Sequence, residues 1–121
     1  MTVDFALGGM LFEYDEEKNR KNIEKHGISF RSAARVFFDY NRIEYFDEAH
    51  SLDEDRYNTI GDTSAGFTEA KRVIGDVSEL LFVVYTERVR KTASGKAMDV
   101  TRIISARLAT GFEKGIYYGK F

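Results

Sequence analysis

Residues 12–30, FEYDEEKNRKNIEKHGISF, join a polar helix, a built-in stop and the start of a second helix. Asp15 is placed to N-cap the first helix, and Glu16 and Glu17 put negative charge in its positive first turn. Glu16/Arg20 and Glu17/Lys21 stand at the i,i+4 spacing of helical ion pairs. Gly27 supplies the left-handed residue that ends the helix, and Ile28 follows it in position to pack back on Ile23. Asn19, Asn22, Ile23 and His26 then share one face at i, i+3, i+4 and i+7. A stripe so polar is not expected to be only a core face, and it is read as the wall of a site or a partner-binding surface.

Working outward, Ser29 caps a second helix whose Phe30, Ala33, Ala34, Phe37 and Phe38 recur at helical spacing and belong in the core. Residues 39–41 break it. Residues 42–46 alternate as a short strand and lead into an acidic loop, 47–55. Residues 56–61, 80–88 and 100–107 read as three further strands, and 89–99, with Gly95 at its centre, as the tip between the last two. Thr110 with Glu113 offers a capping box for a closing helix that Gly115 and Gly119 weaken. The predicted class is α+β: two N-terminal helices, an antiparallel sheet of about four strands and a C-terminal helix. One domain spans 1–121, with residues 1–11 read as disordered or as an extra N-terminal extension. Ile60-Gly61-Asp62 recurs as Ile74-Gly75-Asp76 across a stretch read as an insertion or an extra hairpin. That spacing is too short for a repeat fold.

The 121 residues are 43% hydrophobic and 31% charged, as in an ordinary globular domain. No apolar run approaches the roughly 20 residues that cross a bilayer. The start lacks the positive charge and apolar length of a signal peptide, so a cytoplasmic location is expected, and Met10 could serve as an alternative start. The absence of Cys removes disulfides and thiolate metal sites, and two His residues cannot build a zinc site without borrowed carboxylates. The net charge of −2 conceals an asymmetry: residues 1–60 hold 8 basic and 13 acidic side chains, and residues 61–121 hold 10 and 7. From Tyr85 to Arg107 there are Arg88, Arg90, Lys91, Lys96, Arg102 and Arg107 against only Glu87 and Asp99. Such a patch suits phosphate, because polyanion binding follows local potential more than total charge. The competing expectation is a solvated hairpin surface.

Arg56, Arg88, Arg102 and Arg107 fall at strand positions. A strict period of two along 101–107 sends Arg102 and Arg107 to opposite faces, leaving at most one of them in a common site. Whether Arg88 and Arg107 converge depends on strand register. The alternative is that these arginines are neutralised by acids of the 47–55 loop. His26 lies at the negative end of its helix, where a lone His is commonly a cap, and His50 reads as a loop residue. Glu44, Glu54 and Glu87 are too numerous a set to single out a base. Arg, Lys and His without a thiol suit RNA cleavage, in which the 2′-hydroxyl is the nucleophile and arginines stabilise the charge on phosphorus.

The blocks Phe12-Glu13-Tyr14-Asp15, Lys25-His26-Gly27-Ile28-Ser29-Phe30, Asp53-Glu54-Asp55-Arg56-Tyr57, Tyr85-Thr86-Glu87-Arg88 and Arg102-Ile103-Ile104-Ser105-Ala106-Arg107 occur in that order. Together they resemble the BrnT toxins of bacterial type II toxin-antitoxin systems, over nearly the whole chain. The resemblance implies a RelE-like fold and a metal-independent, cofactor-free endoribonuclease. Its implied partners are an RNA substrate and a BrnA-like ribbon-helix-helix antitoxin, with a higher-order complex on operator DNA. Carried over by position, the functional residues fall on Lys25, His26, Arg56, Arg88 and Arg107. Arg88 and Arg107 would bind phosphate and transition-state charge, Lys25 or His26 would move protons or hold RNA, and Arg56 would do either. The chain departs from the family pattern in its longer 61–80 and 89–99 stretches and in a final helix with few basic residues. A catalytically silent module that binds RNA or a partner and regulates its operon is the alternative.

Overall fold

Gly8 and Gly9 have φ of +54° and +83°, the two positive values of a type I′ hairpin turn. They join β1 (Thr2–Leu7) to β2 (Met10–Asp15), paired antiparallel from Leu7 opposite Met10 to Thr2 opposite Asp15. In this computed structural model, which describes residues 1–64 and 79–119, the residues read as disordered or as an N-terminal extension hold β1 and the start of β2. The Ile74-Gly75-Asp76 repeat, and most of the stretch read as an insertion, lie outside the described residues.

The sheet has six strands in the order β1-β2-β6-β5-β4-β3, the others being β3 (Ile43–Phe46), β4 (Tyr57–Asp62), β5 (Leu80–Lys91) and β6 (Ala97–Leu108). It is mixed: β2 runs parallel to β6, with Phe12 opposite Thr101 and Glu13 opposite Arg102, and all other pairs are antiparallel. The expectation of about four antiparallel strands is corrected on both counts. The N-terminal hairpin adds two strands, and a pairing between residues 89 apart leaves no local signature. The β5–β6 tip is also shorter than read, closing through Thr92 N–H to Lys96 O at 2.8 Å and Gly95 N–H to Thr92 O at 2.9 Å.

Helix α1 (Glu16–His26) is bounded as its sequence dictates. Asp15 Oδ2 accepts the Lys18 N–H at 3.0 Å, and Gly27, at φ +72°, donates its N–H to Ile23 O at 2.8 Å. The ion pairs differ from those expected, because Arg20 bridges Glu17 and Glu24. Half of the polar stripe is a docking seam formed by Asn19 and Asn22, while Ile23 and His26 remain exposed. Asn22 is buried, donates Nδ2–H to Ile28 O at 2.9 Å and to Ala106 O at 2.8 Å, and accepts the Ala106 N–H at 3.2 Å. Asn19 Oδ1 accepts the Phe30 N–H at 2.9 Å. The asparagines thus bind the helix to β6 and to the start of the next helix by amide geometry that an apolar residue could not supply.

Ser29 Oγ caps α2 (Phe30–Ala33) by accepting the Ser32 N–H at 3.1 Å, and residues 34–38 tighten into a 3₁₀ turn. This segment and α1 cover one face of the sheet. The main core between them contains Phe12, Tyr14, Phe30, Phe37, Val83, Tyr85, Ile103 and Ala106. A smaller cluster of Ile60, Leu80 and Ala109, with Phe82, Ile116 and Tyr117 against it, seats α3 (Gly111–Tyr118). Buried Asp39 ties the two together, its Oδ2 accepting the Asp62 N–H at 2.9 Å and the Tyr117 hydroxyl at 2.6 Å. Burial, reinforced by that bond to Asp39, pushes the Tyr117 phenol well above its ordinary pKa. Among the described residues no helix is long and apolar enough to cross a membrane.

Candidate functional site

A single bulge sets which arginines share a face. Val84 pairs with Ser105 and Tyr85 with Ile103, so Ile104 is the extra residue on β6. Beyond it the alternation is reset. Arg102 lies opposite Thr86 and Arg107 opposite Phe82, two β5 positions an even number of residues apart and therefore on one face. Strict alternation sends the two arginines apart; the bulge returns them to the same side. Arg88, two residues beyond Thr86, shares that side. This is the face opposite Val83, Tyr85, Ile103 and Ala106, hence the face opposite α1.

Arg88 and Arg107 do not meet. Phe82, which pairs with Arg107, and Arg88 are six residues apart on one strand, a span of about 20 Å. Arg56, immediately before β4, lies between them. It lines one cavity of about 390 Å³ with Asn58, Phe82, Ser105 and Arg107, and a neighbouring one with Glu54 and Arg88. The open face therefore carries a track of guanidinium groups in the order Arg107, Arg56, Arg88.

Their partners differ. Arg107 forms a forked pair with Glu113 of α3, Nη1 to Oε1 at 2.7 Å and Nη2 to Oε2 at 2.9 Å, and its guanidinium carbon stands 4.2 Å from the centroid of the Phe82 ring. The hydrogen bonds to Glu113 raise the Arg107 pKa further. Burial works against the Glu113 anion, but Arg107 and the Thr110 backbone N–H together hold its carboxyl below the usual range. Glu113 also completes the capping box with Thr110, so one carboxylate both starts α3 and covers the end of the arginine track. Arg88 Nη2 meets Glu54 Oε2 of the acidic loop at 3.1 Å on the exposed surface, and Arg102 Nη1 meets Glu13 Oε2 at 2.8 Å. The expectation that the acidic loop neutralises these arginines thus holds for Arg88 alone. The Arg56 guanidinium has no hydrogen bond or ion pair among the described residues.

The acidic loop is firmly built. Asp47 N–H bonds Arg56 O at 2.8 Å across its neck, Ser51 Oγ accepts the Arg56 N–H at 2.9 Å, and Thr86 Oγ1 donates to Asp55 O at 2.7 Å. Within it, residues 48–50 form a 3₁₀ turn that brings His50 Nδ1 to 3.1 and 3.0 Å from the two Asp47 carboxylate oxygens. A carboxylate only accepts, so Nδ1 carries a proton, and in the neutral ring Nε2 presents its lone pair. His50 lines both cavities that Arg56 lines. Asn58, only 6% exposed, lines the Arg107 cavity, and its buried Oδ1 has no hydrogen-bond partner among the described residues. Sequence reading set His50 aside as a loop residue. The usable signal was Asp47 three residues before it, the spacing of one helical turn.

Lys25 and His26 lie at the end of α1, exposed, on the side of the sheet away from the arginine track. Neither makes a hydrogen bond or ion pair among the described residues. The structure thus sets Arg107, Arg56 and Arg88 along one face without bringing Arg88 to Arg107, and leaves Lys25 and His26 apart. Among the described residues no three His, Cys, Asp or Glu side chains gather as a metal ligand set.

No curated protein matches the chain closely enough to count as a relative. A family model for the ribonuclease toxin BrnT of type II toxin-antitoxin systems matches residues 14–113, a span that takes in α1, the guanidinium track, the Asp47–His50 pair and Glu113, and the chain belongs to that family.

Proposed function

We propose that the chain is an endoribonuclease toxin that cleaves RNA without a metal, using Arg107, Arg56 and Arg88 to bind phosphates and the charge of the transition state. Membership in a family of type II toxin-antitoxin ribonucleases implies an RNA target and an antitoxin partner. The observation that carries the reading is the Arg56 guanidinium, without a partner among the described residues and set between two cavities on a face where Arg107 and Arg88 lie on either side of it. A forked guanidinium matches phosphate geometry, and one preorganised donor of this kind commonly contributes 100-fold or more in rate. The 2′-hydroxyl oxygen attacks phosphorus, the bond to the 5′ oxygen breaks, and a cyclic phosphate and a 5′-hydroxyl result. Lys25 and His26, on the other side of the sheet, stand outside this site. The finer parts of the reading are a RelE-like fold, a BrnA-like ribbon-helix-helix antitoxin able to hold the toxin on operator DNA, and a cytoplasmic setting.

The test is expression in a bacterium without the antitoxin, comparing the wild type with Arg56→Ala plus Arg88→Ala. That pair spares the Arg107–Glu113 contact that secures α3. The wild type is expected to arrest growth and degrade RNA, and the double variant to do neither. Equal growth and equal RNA integrity at equal protein levels refute the reading. Loss of cleavage in excess chelator refutes metal independence. A second reading, a silent RNA-binding or partner-binding module, is favoured by the carboxylates already seated on Arg107 and Arg88. Tight RNA binding without cleavage would select it.

A further inference from the structure

We propose that His50, oriented by Asp47, is the proton acceptor for RNA cleavage, a role that rests on the ribonuclease reading above. The geometry has the parts that such a group needs. The Asp47 carboxylate holds Nδ1 at 3.0–3.1 Å and fixes the tautomer, while Nε2 makes no hydrogen bond among the described residues. The His50 side chain is 70% exposed and that of Asp47 only 14%, so the imidazole is reachable from solvent while the carboxylate that orients it is sheltered. An imidazole backed by a sheltered carboxylate is the usual way to aim a histidine as a base.

Position supports the assignment. His50 shares one cavity with Arg56 and Arg107 and the next with Arg56 and Arg88, so a phosphate on Arg56 would lie beside the imidazole from either direction. The charged groups around the imidazole are Asp47 beside its turn, Asp53 and Glu54 on the loop, Arg56 just before β4, and Arg88 and Arg107 on β5 and β6.

In the step itself, the ribose 2′-hydroxyl proton passes to Nε2 as the 2′ oxygen bonds to phosphorus. The phosphorus–5′-oxygen bond breaks with its electron pair on the 5′ oxygen, which takes a proton from water. The imidazolium then returns its proton to solvent. No water is consumed and no metal or redox partner is needed. Asp47 acts through His50 and is a positioning residue.

The experiment uses the purified full-length chain on a synthetic RNA, with binding measured separately on the all-2′-O-methyl version, which lacks the nucleophile. His50→Gln is expected to slow cleavage about 100-fold or more, to leave binding within about threefold, and to abolish the acid limb of the pH–rate profile. Asp47→Asn, which inverts the preferred tautomer, is expected to slow cleavage with binding equally intact. The high exposure of His50 makes misfolding an unsuitable explanation for a loss, and a thermal melt of each variant checks this. Cleavage by His50→Gln at the wild-type rate, or a slower rate that keeps the acid limb, overturns the assignment and leaves the ribonuclease reading standing. Failure of the wild-type chain to cleave while it binds overturns both.

Discussion

Replacing Asn22 should unfold the domain more readily without altering what a folded molecule can do. In the native state one buried amide completes the Ala106 N–H, the Ala106 carbonyl and the Ile28 carbonyl at 3.2, 2.8 and 2.9 Å. A hydrogen bond of this kind contributes about 1 kcal/mol net, more where its loss strands a buried partner. Asn22→Ala removes all of them, and Ala106 is itself only 1% exposed, so water cannot readily replace them. The expected loss is about 3 kcal/mol, a large share of the roughly 5–15 kcal/mol that holds a domain of this size folded. Urea unfolding at 25 °C measures it directly: with a slope of about 1.5 kcal/mol per molar, the midpoint should fall by about 2 M. Asn19→Ala, which strands only the Phe30 N–H, should cost about 1 kcal/mol. A loss under about 1 kcal/mol for Asn22→Ala would refute the seam. So would a variant that melts like the wild type yet has lost RNA cleavage, for then the stripe would be a site wall after all.

Two further outcomes follow from individual contacts. Gly61→Ala would bring a Cβ to 2.9 Å from Val36 Cβ and 3.1 Å from its carbonyl oxygen, so the 3₁₀ turn must shift away from β4, at a cost of about 1–3 kcal/mol in urea unfolding. Glu113 has its folded-state pKa lowered, so its stabilising contribution is present above the unfolded value near 4.5 and fades as the pH falls through the folded value. Glu113→Gln should accordingly be less stable than wild type at pH 7, and denaturation curves taken at successively lower pH should converge below about pH 4.5.

What could be read from the sequence was whatever is encoded within a few residues. Asp15, Gly27, Ser29 and the Thr110–Glu113 box announced their helix boundaries because a cap is a contact between a residue and its near neighbours. The N-terminal hairpin was equally legible in Gly8-Gly9 between two alternating runs, but the weight placed on the helix that follows hid it. Other features lay beyond local reading. The parallel β2–β6 pairing joins distant segments, and the bulge at Ile104 reverses side-chain parity with nothing in the composition of 101–107 to mark it. Of the candidate site, the arginines were found by residue type and by resemblance, but their order along one face depended on that bulge. His50 and Asp47 were passed over because neither is distinctive until a 3₁₀ turn sets them together. Lys25 and His26 were prominent for the opposite reason, standing in a memorable local motif that the fold turns away from the arginines.

The parallel seam between β2 and β6 also sets the timing of folding. The hairpin and α1 are local structures, yet Phe12 finds its strand neighbour only at Thr101, and Asn22 its clamp only at Ala106. Until β6 is in place, β2 keeps an open strand edge and the Asn22 amide lacks its partners on Ala106. The arginine face cannot assemble before then, because Arg107 lies on β6 and Arg88 on the strand that pairs with it.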